Sequence, residues 1–468
     1  MPAAEYELVV RRGTVVRPQG TEQADIAVKG GVIERIEKEV RASGATEVDA
    51  DGCFVVPGGV DAHTHFGNRA PLDHLETADD WESGSRAAAA GGITTVVNYV
   101  FQEPGTGLRE TVDEEVRRAA AHSCIDYSVH PVVTHLRGGA TLEEIPDLVK
   151  DGFSSVKLFT GPLGVSLSDE DIVRLLGVAA EAKALVTVHP EDVALNQFFR
   201  KRAVAAIGDG PQGALRAWRA SYPPAVEALA VERVAGYARA VGAAVYFVHI
   251  SSAEALGAVV AARNRGTRAY CETRPAYLFL DASRYSGEFD QAVLNVCLPP
   301  LREKDDQEAL WQGLRDGTID AFGSDHTARM ANEKLSAARA GEPVPAGFGG
   351  VQTGLGLLYG CGTTQGRITL DDLVRVTSER PAKIFGLWPR KGAIQVGSDA
   401  DLVVLDPAKQ VVVRLDMLES KSDFDPYVGL HAVGWPKMTI SRGEVLWEDG
   451  VIKGSRGRGI LVQRTPAS

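Results

Sequence analysis

Val55-Val56-Pro57-Gly58-Gly59-Val60-Asp61-Ala62-His63-Thr64-His65 is the stretch on which the fold turns. It reads as a strand, residues 55–63, running into a turn of polar and histidine residues. A doubly wound open sheet needs a glycine-rich phosphate turn after its first strand. Here that turn is Asp61-Ala62-His63-Thr64-His65. Seven more strand-like runs follow, at residues 94–100, 127–133, 155–159, 185–189, 245–249, 268–271 and 319–324. Amphipathic, helix-like segments separate them, among them residues 81–90, 110–121, 169–182 and 225–241. Eight alternations of strand and helix predict an α/β fold, a closed parallel (β/α)8 TIM barrel. The span from Val55 to His326 fits one such barrel, which typically takes about 250 residues.

Both ends of the chain read as β-rich. Short strand-like pieces lie at residues 6–10, 14–16, 25–28 and 32–36, and again at 401–405, 411–413, 438–441 and 445–447. Glycine-containing turns separate them. The expected organisation is a barrel over residues 55–390 and a small β-sandwich built jointly from residues 1–54 and 391–468. No solenoid-length repeat and no low-complexity linker interrupts this plan.

Composition narrows the class. The 468 residues are 44% hydrophobic and 24% charged, which excludes a disordered or collagen-like chain. Fifty basic against 62 acidic residues give a net charge of −12, the opposite of a general nucleic-acid binder. The basic tail at residues 453–458 reads as a solvated end or a subunit contact. Cys53, Cys124, Cys271, Cys297 and Cys361 are scattered without a Cys-x-x-Cys pair, so they read as small buried apolar residues. Residues 1–12 contain Glu5 and Glu7 and do not read as a signal peptide. No apolar stretch is long enough to span a bilayer. A cytoplasmic protein with no membrane or nucleic-acid partner is expected.

Four of the ten histidines fall where strands end: His63 and His65 after the first, His189 after the fifth, His249 after the sixth. Asp325 follows the eighth. A lone histidine at a strand end is more often a hydrogen-bonded structural residue. The strand ends of a barrel converge on one face, however, so all five side chains would share a cavity. Imidazoles with a carboxylate suit zinc or a similar divalent ion. Lys157, in Ser155-Val156-Lys157-Leu158-Phe159, sits in a strand that is otherwise apolar. A buried ammonium needs a partner or a shifted pKa. It is either paired with a carboxylate, or neutral and able to capture carbon dioxide as a carbamate.

Longer motifs surround these residues: Glu76-Thr77-Ala78-Asp79-Asp80-Trp81-Glu82-Ser83-Gly84, His189-Pro190-Glu191-Asp192, Val248-His249-Ile250-Ser251-Ser252, Cys271-Glu272-Thr273, Pro299-Pro300-Leu301-Arg302 and Gly323-Ser324-Asp325-His326. With them the chain resembles the cyclic amidohydrolases, most of all the dihydropyrimidinase/hydantoinase branch. The resemblance implies two zinc ions, one held by His63, His65 and Asp325 and one by His189 and His249. Carbamylated Lys157 and a hydroxide would bridge them. Asp325 would take the proton of the attacking hydroxide and pass it to the leaving nitrogen. The product of a ring amide would be an N-carbamoyl or similar open-chain acid. A homo-oligomer, tetramer or dimer, is also implied.

The sequence departs from that branch at three places. The expected tyrosine shortly after Lys157 is missing from Leu158-Phe159-Thr160-Gly161-Pro162-Leu163-Gly164, and Thr160 and Tyr99 are the candidate replacement donors. Leu298 stands where a serine precedes Pro-Pro-Leu-Arg. Ala346-Gly347 stands in the region of an Asn-Gly pair. Thr160, Leu298, Ala346 and Gly347 are therefore the expected substrate contacts, and the pocket should favour a larger or less polar cyclic amide or imide. A dihydroorotase would carry an arginine two residues after His65, where this chain has Gly67, although Arg69 is near. Gly349-Gly350-Val351-Gln352 resembles the allantoinase branch. A deaminase or lactonase on the same metal site, and a non-enzymatic interaction protein of the same fold, are the remaining alternatives.

Overall fold

Alternating strands and helices wind a parallel eight-stranded sheet through the middle of the chain in the computed structural model. It describes residues 6–17, 20–68, 75–161, 164–207 and 210–466. Arg69, and the first five residues of the amino-terminal reading, lie outside the described residues. The strands are Gly59–Thr64, Ile93–Phe101, Asp126–Val132, Ser155–Phe159, Leu185–His189, Ala244–Phe247, Arg268–Thr273 and Ala321–Phe322, paired in chain order. A parallel bridge between Thr64 and His326 brings the first and last strands together and nearly closes the barrel. The His65 amide donates to the His326 carbonyl at 3.0 Å across the same seam. Every residue of the third, fourth and fifth strands is buried, as expected where helices cover a parallel sheet.

Both termini join in one nine-stranded mixed sheet. Five strands precede the barrel, from Leu8–Arg17 to Phe54–Pro57, and four follow it, beginning with Leu402–Val412. The halves meet where Phe54–Pro57 pairs antiparallel with Leu402–Leu405. The run at residues 55–63, expected as one strand, is thus two strands in two sheets, parted at Gly58. The cause is a close approach. A Cβ on Gly58 would lie 2.3 Å from Thr94 Oγ1, and one on Gly59 would lie 2.4 Å from Ile93 Cδ1.

The basic tail turns back onto its own chain. Arg458 pairs with Glu444 at 2.7 Å and Arg456 with Glu82 at 3.4 Å. Beyond it, Arg464 is buried against the third and fourth barrel strands. It donates to Ser128 Oγ at 3.0 Å, Ser155 Oγ at 2.7 Å and the Val129 carbonyl at 2.8 Å. All five cysteines are free, four of them buried and Cys361 half-buried. Among the described residues no helix is long and apolar enough to cross a membrane.

Candidate metal centre

The carboxyl ends of the barrel strands open into a cavity of about 980 Å³. His63, His65, Lys157, His189, His249 and Asp325 all line it, and all are buried. His63 and His65 share a face because alternate residues of an extended chain do. The donor atoms of His63, His65 and Asp325 lie within 4.8 Å of one another. Asp325 Oδ1 is 3.1 Å from His63 Nε2 and 3.3 Å from His65 Nε2. Beside them, His189 Nδ1 and His249 Nε2 are 2.8 Å apart. The His63 and His249 rings are separated by 5.5 Å, so the two groups adjoin. His249 and Asp325 have φ of 43° and 48°, a left-handed conformation that costs a non-glycine residue energy and is concentrated at functional sites.

Several acidic residues that the strand-end reading did not pick out orient these ligands. Glu272 Oε1 bonds His63 Nδ1 and accepts from the His249 amide at 3.3 Å. Its other oxygen accepts from the Tyr246 hydroxyl at 2.7 Å. His189 Nε2 lies 2.7 Å from Glu191 Oε2. Asp61 accepts from the His63 amide at 3.0 Å and the Ser324 amide at 3.2 Å, tying the first and eighth strands. A carboxylate on the far nitrogen of a histidine fixes its tautomer and turns the near nitrogen inward, as metal sites require.

Lys157 pairs with Val132 on one side and Thr187 on the other. Its Nζ lies 4.6 Å from the centre of the Tyr99 ring and 5.1 Å from that of Phe159. No carboxylate among the described residues is within ion-pairing distance of it. Burial lowers its pKa to about 7, although Glu272 and Asp325 act against the fall through space. Burial also lowers His65 to about 4 and carries His249 well below the ordinary histidine value, the latter aided by its neighbour His189. Burial opposes the charge on His63 too, but Glu272 and Asp325 lift it above the usual range. Burial opposes ionisation of Asp325, yet His63 and Arg274 hold it well below the usual carboxylate value.

These residues fit a metal. The donors are imidazole nitrogens and a carboxylate, the form of histidine that ligates is the neutral one, and His249 Nδ1 is buried with no hydrogen-bond partner. Lys157 adds an amine with no counter-ion among the described residues.

The expected substrate contacts divide. Leu298, Ala346 and Gly347 line the cavity. Thr160 is not among its lining residues: its hydroxyl donates to the His189 carbonyl at 2.9 Å and accepts from the Glu191 amide at 3.0 Å. Tyr99 is buried beneath the histidines and likewise does not line the cavity.

A nearly closed parallel barrel with this donor set at its carboxyl-terminal mouth is the architecture of a metal-dependent hydrolase. The amidohydrolase family pattern matches residues 54–446. A D-phenylhydantoinase of Escherichia coli O1:K1 is 35% identical over 463 residues, covering 98% of each chain. The D-hydantoinase of a Bacillus sp. AR9 superposes with a TM-score of 0.92 at 34% identity, covering 98% of this chain and 100% of that one. The dihydropyrimidinase from Brevibacillus agri NCHU1002 does so with 0.92 at 31% identity, covering 98% and 99%. The chain belongs to the amidohydrolase family, in its hydantoinase and dihydropyrimidinase branch, and is a metal-dependent hydrolase of cyclic amides.

Proposed function

We propose that this enzyme opens the ring of a hydantoin, a dihydropyrimidine or a related cyclic imide, with a preference for rings bearing a bulky apolar substituent. His63, His65 and Asp325 would hold one divalent metal ion and His189 and His249 a second, with a carbamate on Lys157 between them. Zinc is the ion this donor set suits. The observation that carries the reading is a buried lysine with no counter-ion among the described residues, in one cavity with four imidazoles. Metal ions held there supply a reactive water at neutral pH and polarise the amide carbonyl.

The chain's own residues do the rest. Asp325, fixed beside His63 and His65, takes one proton from the attacking water and delivers it to the ring nitrogen. A bond forms between carbon and the water oxygen, and the ring carbon–nitrogen bond breaks. The water's second proton is released to solvent as the new acid ionises, and because the leaving nitrogen stays tethered, the product is a single open-chain carboxylate. Glu272 and Glu191 keep His63 and His189 oriented through the cycle.

Phe101, Phe159, Trp218, Val296, Leu298 and Val344 make much of the cavity wall apolar. Leu298 and Ala346 offer no polar side chain to a ring, which favours apolar substituents on it. In this reading residues 55–390 form the catalytic barrel, and residues 1–54 and 391–468 the terminal β-domain. The assembly is a homo-oligomer of the cytoplasm, as the branch implies.

The test is proton release by protein loaded with zinc and bicarbonate. Substrates would be dihydrouracil, hydantoin, 5-aryl hydantoins, allantoin, dihydroorotate and simple cyclic imides. Turnover is expected with hydantoins or dihydrouracil, fastest with 5-aryl rings. Silence on both of those classes would overturn the reading.

A further inference from the structure

Arg274 is a buried guanidinium at the mouth of the barrel, one residue beyond the strand Arg268–Thr273. It lines the same cavity as the metal-ligand candidates. Its plane packs 4.5 Å from the centre of the Tyr277 ring and 5.8 Å from that of Phe348, which fixes the side chain. Nη1 forms an ion pair with Asp325 Oδ2. Nε and Nη2 are buried with no hydrogen-bond partner among the described residues.

An arginine never gives up its proton in a protein and brings five N–H donors. Burying it with most of those donors unused is costly unless a ligand uses them. Its one anionic partner, Asp325, is shared with the metal in the reading above. The reaction supplies the missing anion. As water adds to the amide carbon, the carbonyl oxygen gains negative charge; when the carbon–nitrogen bond breaks, that oxygen becomes part of a carboxylate. The other donors anticipated for this charge are Thr160 and the Tyr99 hydroxyl, which is buried without a hydrogen-bond partner among the described residues, and neither residue lines the cavity. Thr160 spends its hydroxyl proton on the His189 carbonyl.

We propose that Arg274 is a catalytic residue: its guanidinium donates to the carbonyl oxygen as that oxygen becomes negative, then holds the carboxylate of the ring-opened product. The arginine keeps all its protons throughout, while one proton of the water moves through Asp325 to the ring nitrogen and the other leaves to solvent as the product ionises to a carboxylate. The proposal rests on the hydrolase reading given above.

Three metal-loaded proteins test it: wild type, Arg274→Met and Arg274→Lys. The readouts are kcat and KM on 5-phenylhydantoin, bound metal per chain, and calorimetric affinity for N-carbamoylphenylglycine. Losing one oxyanion donor lowers kcat by about 10²–10³-fold, so Arg274→Met should fall by that factor with KM within about threefold. Product affinity should drop at least about tenfold, as for a lost charge-assisted bond, with metal content unchanged. Arg274→Lys keeps the charge without the fork, and its kcat and product affinity should both fall by less.

A kcat for Arg274→Met within about threefold of wild type would overturn the proposal. So would metal loss in step with activity, because Arg274 would then only position Asp325. If Arg274→Met does not fold, Arg274→Lys decides: unchanged kcat and product affinity refute the role, and a joint fall supports it. A wild type inactive on every ring would defeat the hydrolase reading instead, and the product titration would still report on Arg274.

Discussion

Lys157 and Lys391 are both fully buried, yet their surroundings are opposite. Lys391 Nζ lies 2.6 Å from Asp126, 2.9 Å from Asp399 and 2.8 Å from Asp401. Burial disfavours its charge, but those carboxylates overcome it and raise the pKa above the ordinary lysine value. It ties the start of a barrel strand to the terminal sheet. Lys157 lies against the Tyr99 and Phe159 rings with no carboxylate at ion-pairing distance among the described residues, and burial lowers its pKa to about 7. Lys391 is a fastener neutralised by anions, whereas Lys157 combines a lowered pKa with a place among the metal-ligand candidates of the cavity. Lys334 is intermediate: fully buried, it donates to the Val296 carbonyl at 2.7 Å and the Gly347 carbonyl at 2.8 Å, clasping two walls of the cavity.

Exchanging these lysines should separate stability from catalysis. Lys391→Met leaves three carboxylates without their cation and should cost about 3–5 kcal/mol in urea unfolding, with turnover per folded molecule little changed. Lys157→Ala should leave the unfolding midpoint nearly unmoved but lower turnover by more than the roughly 100-fold that loss of an outer partner costs. Short carboxylic acids should restore part of it, and full activity without them would break the contrast. Only a neutral amine has the lone pair to attack carbon dioxide. At a constant concentration of dissolved carbon dioxide, reactivation of metal-free protein by zinc should therefore slow as pH falls below about 7, approaching tenfold per pH unit, because Lys157 becomes protonated. Glu272→Gln should weaken metal retention or turnover by about 10–100-fold, measured by dialysis against a chelator. Lys334→Met leaves two buried carbonyls unpaired, so a loss of about 1–3 kcal/mol is expected, with KM rising more than kcat falls.

The barrel was legible because eight apolar runs recur with helices between them, and the cluster of candidate ligands because histidines fall at the ends of those runs. What stayed hidden depends on partners remote in sequence. Glu272 acts on His63 from 209 positions away, and a glutamate in a strand carries no periodic mark. Arg274 looks like any charged residue starting a short helix until its position against Asp325 is seen. The break at Gly58 is marked in the sequence by Pro57-Gly58-Gly59, but Val55-Val56 and Val60 read as one run across it; the contact with Thr94 sets it. Thr160 lies close to Lys157 in the chain, but sequence does not fix which way a hydroxyl turns. Leu298 lies on one loop and Ala346 with Gly347 on another, and Lys334 helps to draw the two together.

Carbon-13 NMR of protein reconstituted with zinc and ¹³C-labelled bicarbonate reads the proposed carbamate on Lys157 itself. One carbamate resonance is expected in the wild type, dependent on added metal and absent from Lys157→Ala. A fully active, metal-loaded wild type without that resonance would show that Lys157 carries no carbamate.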